Sequence, residues 1–153
     1  MIGRYPPRLS RTFLRRARED SSGAAAIEIA FALPILLMLL MGIISYGDWF
    51  LTAHTVQQAT NDAARAAIAG LTTAERAQLA NDTFKTMLAR SGTLQPDLGS
   101  TATTDTGSGT DPNYTLTVQA RYDASADPLL HLSFVAAPNP VIQRSAAITL
   151  GGL

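Results

Sequence analysis

Twenty-one consecutive residues, Ala24–Ile44, carry a single charge, Glu28. As a helix rising about 1.5 Å per residue, such a run spans roughly 30 Å, the thickness of a bilayer core. A core helix of a water-soluble domain of that length would keep a polar face, and this one has none. The run is longer than the apolar core of a secretory signal peptide, and no small-residue cleavage pattern closely follows it. A twin-arginine signal also fits poorly, because the apolar pair Phe13-Leu14 precedes Arg15-Arg16 instead of following it. The segment therefore reads as a membrane-spanning stem.

Charge sets its direction. Six arginines (Arg4, Arg8, Arg11, Arg15, Arg16, Arg18) crowd residues 1–22 against Glu19 and Asp20, whereas residues 45–153 carry a net charge of −3. Basic residues stay on the cytoplasmic side, so the N-terminus is expected in the cytoplasm and the body beyond the membrane. Tyr46, Trp49 and Phe50 follow the apolar run, where an aromatic belt would meet the far interface. The chain has 153 residues and no cysteine, which excludes disulfide frameworks, thiol nucleophiles and cysteine-zinc sites.

Glu28 is costly inside an apolar helix, and such carboxylates are functional by default. Its spacing is informative. If the chain were cut after Gly23, Ala24 would become the first residue and Glu28 the fifth. A basic leader, a glycine, a small residue and a glutamate fifth in an apolar helix resemble the leader junction of type IV pilins and pseudopilins. The longer run adds Pro34, then Gly42-Ile-Ile-Ser45-Tyr46-Gly47. Together these residues resemble the TadE-like family, minor pilins of the tight adherence (Tad, Flp) pilus. Ser45 departs from the acidic residue expected in many relatives. The motif spans about 25 residues; the Ala59–Ala67 stretch and the last strand also fit the family, and the middle of the chain carries no signature.

The resemblance implies a set of roles. A prepilin peptidase would cut between Gly23 and Ala24 and methylate the new amine. Glu28 would neutralise the N-terminal amine of a neighbouring subunit during assembly. Pro34 would kink the stem, since it removes an N–H and clashes with the preceding turn. Gly42 and Gly47 would serve stem packing. The implied partners are the peptidase, other Tad pilins and pseudopilins, the inner membrane, and the Tad assembly machinery with its cytoplasmic ATPase. No cofactor, metal or nucleic acid is expected, and no enzymatic activity. The implied location is the bacterial inner membrane, single-pass, with the C-terminus in the periplasm, and from there an extracellular pilus. Two other readings remain open: an uncleaved, anchored periplasmic binding module, and a type II secretion pseudopilin.

Beyond the membrane the pattern is α+β. Trp49, Ala53, Val56, Ala59, Ala63 and Ala66 share one helical face, which predicts that the stem continues to about Gly70. Thr72-Thr-Ala-Glu75 is a capping-box pattern that opens a second helix with Ala77, Ala80, Phe84, Met87 and Leu88 inward. Gly92 stops it. The Gly/Ser/Thr-rich stretch Gly99–Thr110 predicts a flexible loop. From Asn113 the period becomes two, with Tyr114, Leu116, Val118, Ala120 and Tyr122 on one side of a strand. Leu129–Phe134 reads as a short strand or turn, and Val141–Leu150 as a last strand. The expected divisions are leader 1–23, transmembrane stem 24–47, helices 48–92, loop 93–112 and a β-rich head 113–153.

Several tempting motifs carry no chemistry. Asp105-Thr106-Gly107 matches an aspartic-protease triplet but lacks apolar flanks and a second aspartate. Asp105 and Asp111 lack the spacing of a calcium loop. The acceptor-like triplets at Asn81 and Asn113 read as chance, and His54 and His131 have no nucleophile partner in the sequence. The leader arginines are better explained by topology than by nucleic-acid binding.

Overall fold

The structure is a computed structural model and describes residues 21–107, 111, 113–132, 136 and 138–150. Residues 1–20 of the expected leader 1–23, residues 108–110 and 112 of the expected loop, and residues 133–135, 137 and 151–153 lie outside the described residues. The chain divides into two units, Met1–Leu40 and Met41–Leu153. Helix α1, Ser21–Ala67, runs through both and contains Pro34 without interruption.

In the first unit every described side chain from Gly23 to Leu40 is exposed. Among the described residues, this part of α1 has no buried side chain. The second unit has its own core. Its order is α1 from Met41, α2 (Thr73–Ser91), a 3-10 turn (Pro96–Leu98), β1 (Gly99–Thr106), β2 (Thr115–Asp123), a second 3-10 turn (Pro128–His131) and β3 (Val141–Thr149). The strands form an antiparallel meander, β1-β2-β3. The register pairs Thr101 with Ala120 and Val118 with Ala146. An α+β architecture, with a long apolar N-terminal helix, a second helix and a small antiparallel sheet, is what the sequence predicts.

The core lies between the alanine face of α1, the inner face of α2 and the inner face of the sheet. Ala53, Val56, Ala59, Ala63, Ala64 and Ala67 are buried, with Ala80, Phe84, Leu88, Leu116, Val118 and Ile142. Small residues on α1 let the other elements approach closely, while the large side chains supply the transfer energy, about 1.5–3 kcal/mol for each one fully buried. The predicted face of α1 is shifted slightly. Ala66 is half-buried, while Ala67, Ser45, Thr52 and Thr60 are buried on the true inner face. Thr60 satisfies its hydroxyl by donating to the Val56 carbonyl at 2.6 Å, one turn back. On α2, Ala77 and Met87 are half-buried, and Ala80, Phe84 and Leu88 carry the interface.

Helix α2 starts and stops as its sequence dictates. Thr72 accepts from Glu75 N at 3.2 Å, and the Glu75 carboxylate accepts in turn from Thr72 N. Gly92 ends the helix at φ 71°, a left-handed conformation that favours glycine.

One expectation is overturned. Gly99–Thr106, expected within a flexible loop, is strand β1, paired with β2 along its whole length. Its residues have little apolar content, so it shows no hydrophobic alternation. Its threonines are β-branched and suit a pleated strand, and β2 supplies the ladder. Gly99 itself sits under α2. A Cβ there would lie 2.6 Å from Leu88 Cδ1 and 2.8 Å from Phe84 Cε1, so any larger residue would force these buried side chains to shift. The apolar element expected at Leu129–Phe134 is a 3-10 turn through His131.

Candidate assembly stem and membrane-proximal collar

The residues expected to process and assemble the chain are spread along α1 and are not gathered into a pocket. Gly23, Ala24, Glu28 and Pro34 are all exposed. Ala24 and Glu28 are four residues apart, about one turn, so they share a face. The helix around Glu28 carries exposed Ile27, Ile29, Phe31 and Leu33, each between 49% and 74% accessible. Such a surface needs lipid or other apolar helices around it. This helix is long and apolar enough to cross a membrane and fits a single-pass membrane protein. Gly42 is half-buried; Gly47 is exposed, and a Cβ built there would meet no atom within 4 Å.

Just past the apolar run, α1 is joined to the connection between β2 and β3. Tyr46 Oη donates to the Ala136 carbonyl at 3.0 Å, and Trp49 Nε1 donates to the Asn139 carbonyl at 2.9 Å. The two aromatics expected as a free belt thus spend their polar ends on their own chain. Phe50 remains 63% exposed and meets Trp49 edge-on, with ring centroids 5.2 Å apart. Ser45, read from sequence as a departure from the family pattern, is 1% exposed and part of the interior. Its heptad relation to Thr52 and Ala59 on the inner face was the signal available in the sequence.

Two acidic groups meet at the same level. The Asp48 carboxyl is pushed up, first by burial, then by a hydrogen bond with Asp127 and by that group's charge. As a carboxylate, Asp48 Oδ2 is buried without a hydrogen-bond partner; protonated, it becomes a donor. Asp127 also accepts from Leu129 N at 2.9 Å, fixing the second 3-10 turn. By contrast Asp123, at the end of β2, is held low by the Ser125 hydroxyl, then by the Ser125 N–H.

At the other end of the second unit, Arg76 ties three elements together. Its Nε donates to the Gly70 carbonyl at 2.9 Å. Its Nη1 lies 3.4 Å from Asp105 Oδ2 and also donates to the Tyr114 hydroxyl, with the guanidinium carbon 5.5 Å from the Tyr114 ring centroid. Asp105 also accepts from Thr73 Oγ1 at 3.0 Å. The Asp-Thr-Gly triplet is therefore the end of a strand held by an arginine. Sequence reasoning did not find Arg76, because its partners lie 29 and 38 residues away.

An open cleft of about 660 Å³ lies along the sheet, with walls that include Gln57, Gln119, Arg121, Gln143 and Arg144. Among the described residues its lining includes Ser100, Thr101 and Ser145 but no Asp, Glu, His, Cys or Lys that could activate a hydroxyl. Among the described residues, no group of three or more His, Cys, Asp or Glu is placed to hold a metal ion.

Comparison with known proteins singles out the stem. Residues 23–65 match the family model of the TadE-like proteins. The resemblance read from the sequence holds over this stretch; the sheet and α2 lie outside the match. No curated protein matches the chain. No solved structure matches it.

Proposed function

We propose that this protein is a prepilin-like minor pilin of a Tad/Flp-type adhesive pilus. The observation that carries the reading is the coincidence of the family match over 23–65 with a stem whose apolar side chains are exposed from Ile27 to Leu40. A helix of this kind can sit in a bilayer as a precursor and then bundle with other stems in a filament, exchanging lipid for protein partners. On this reading a prepilin peptidase cuts between Gly23 and Ala24 on the cytoplasmic side, and the new N-terminus faces Glu28 of a neighbouring subunit. An unpaired carboxylate in hydrocarbon is costly, and a partner amine removes that cost, so the pair would favour an ordered register of stems. The α+β head beyond the inner membrane would face outward in the assembled pilus. Other Tad pilins and pseudopilins are its partners, and a cytoplasmic ATPase drives extraction.

The test is the mass of the N-terminal peptide of native protein, from cells with and without the prepilin peptidase. The expected result is a start at Ala24 in the first and retention of residues 1–23 in the second. A start near Met1 in both would replace this reading with that of an uncleaved anchored module. Loss of assembly in a strain lacking the Tad ATPase, with assembly intact in one lacking a secretion ATPase, separates this reading from a type II secretion pseudopilin.

A further inference from the structure

The connection between β2 and β3 runs from Ala124 to Pro140 and is closed at its base by the Ala124 N–H donating to the Pro140 carbonyl at 2.9 Å. Its described residues return to one short stretch of α1. Ala136 is bound by Tyr46 and Asn139 by Trp49, and Asp127 lies against Asp48. These three stem residues come only two to five positions after Ile44, the last residue of the apolar run. Along a helix they stand about 3 to 8 Å beyond it. The headgroup layer on each side of a bilayer core is roughly 5–8 Å thick. Helical side chains lean toward the N-terminus, here back toward the bilayer, so if Ala24–Ile44 spans the hydrocarbon the carbonyls bound to Tyr46 and Trp49 stand at about the level of the headgroup layer.

The chemistry of the connection fits that level. The described residues of the connection include one Asp, one His and no Lys or Arg, with Leu129, Leu130 and Leu132 among them. Leu130 is buried in the core, while its neighbour Leu129 is 37% exposed. Phe50 and Leu51 on the stem, both 63% exposed, continue the apolar surface past the end of the run. An interface of this kind takes uncharged apolar and amphipathic groups at the headgroup boundary.

We infer that the described part of the β2–β3 connection is a membrane-surface element: Leu129 and the Ala136 carbonyl lie in the headgroup layer of the leaflet that α1 leaves. Leaving the membrane would uncover Leu129 and Phe50 together with the stem. The inference rests on the reading of Ala24–Ile44 as a membrane span.

The chain has no cysteine, so single cysteines report position without background. The full chain is reconstituted in vesicles of phosphatidylethanolamine and phosphatidylglycerol. A nitroxide is attached in turn at Leu129→Cys, Ala136→Cys, Gly47→Cys, Leu71→Cys and Met38→Cys. Collision with oxygen and with a water-soluble nickel chelate gives each depth. Gly47 marks the interface, where its surroundings leave room for a label, and Leu71, 90% exposed, marks the α1–α2 turn. The expected result is nickel accessibility at 129 and 136 close to that at 47 and several-fold below that at 71. Accessibility at 129 and 136 equal to that at 71, with Met38 shielded, overturns the inference and leaves the span intact. Free nickel access at Met38 removes the span reading itself, and the inference with it.

Discussion

Asp48 and Gly99 are single residues whose surroundings decide what they do. Because the Asp48 carboxyl is raised in the folded chain, its ionised form is disfavoured there. Its contribution to stability is full at pH below the ordinary carboxylate range and is lost as pH rises through the raised value. Asp48→Asn keeps a donor for Asp127 and removes the charge. Its melting temperature should exceed that of the parent near about pH 7, and the difference should shrink toward about pH 4. Equal melting temperatures across that range would remove the strained pair from the account. Gly99→Val places branched carbons where Leu88 and Phe84 already stand within 3 Å of a Cβ. Overpacking of this kind costs about 1–3 kcal/mol, read as a lower denaturant midpoint in detergent-solubilised full chain. Neither effect is visible in the sequence, where Gly99 is one glycine in a glycine- and threonine-rich stretch and Asp48 has no acidic neighbour.

Elements differ in how openly they are written. Helix α2 is legible at both ends, because the capping box and the left-handed glycine act through residues three or four positions apart. Thr72→Ala should cost about 1 kcal/mol, measured by chemical denaturation; a change within error would mean that packing of Phe84 and Leu88 alone sets where the helix starts. The continuation of α1 to Ala67 is legible for a similar reason, since its alanines repeat with helical spacing. Strand β2 is legible because Leu116, Val118, Ala120 and Tyr122 alternate. Strand β1 is not. Its inner face holds Thr101, Thr103 and Asp105, none apolar, and it becomes a strand because β2 offers a ladder and α2 closes over Gly99. Arg76 is the residue-level counterpart: it fixes Asp105 at the end of β1, so Arg76→Ala should loosen β1 before the rest of the sheet. Faster amide exchange at Thr104–Thr106 than at Val118–Ala120 would register this; unchanged exchange at Thr104–Thr106 would count against Arg76 as the tie.

At the scale of the molecule, two surfaces of opposite character share one helix. The first unit exposes its apolar side chains, and the second buries them in a core of its own. The first surface makes membrane residence a property of the segment as a whole, so it should fail as a whole. An arginine near its centre costs about 2.5–3.5 kcal/mol on insertion scales. Leu37→Arg should shift a large share of the chain from the membrane fraction to alkaline-extractable material; full retention in the membrane would mean that the α+β unit holds the chain there by itself.

The sequence by itself determined the long apolar segment, the two helices and two of the three strands. Each of these depends on composition or on spacings of a few residues, the range over which helical and strand periodicities act. Only the tertiary structure decided that Gly99–Thr106 is a strand and that Tyr46 and Trp49 hold the β2–β3 connection. It also brought Asp48 to Asp127 and placed Arg76 between Gly70, Asp105 and Tyr114. These pairings join residues six to ninety positions apart, and only packing of the elements around the small alanine-lined core brings their polar groups within hydrogen-bonding reach.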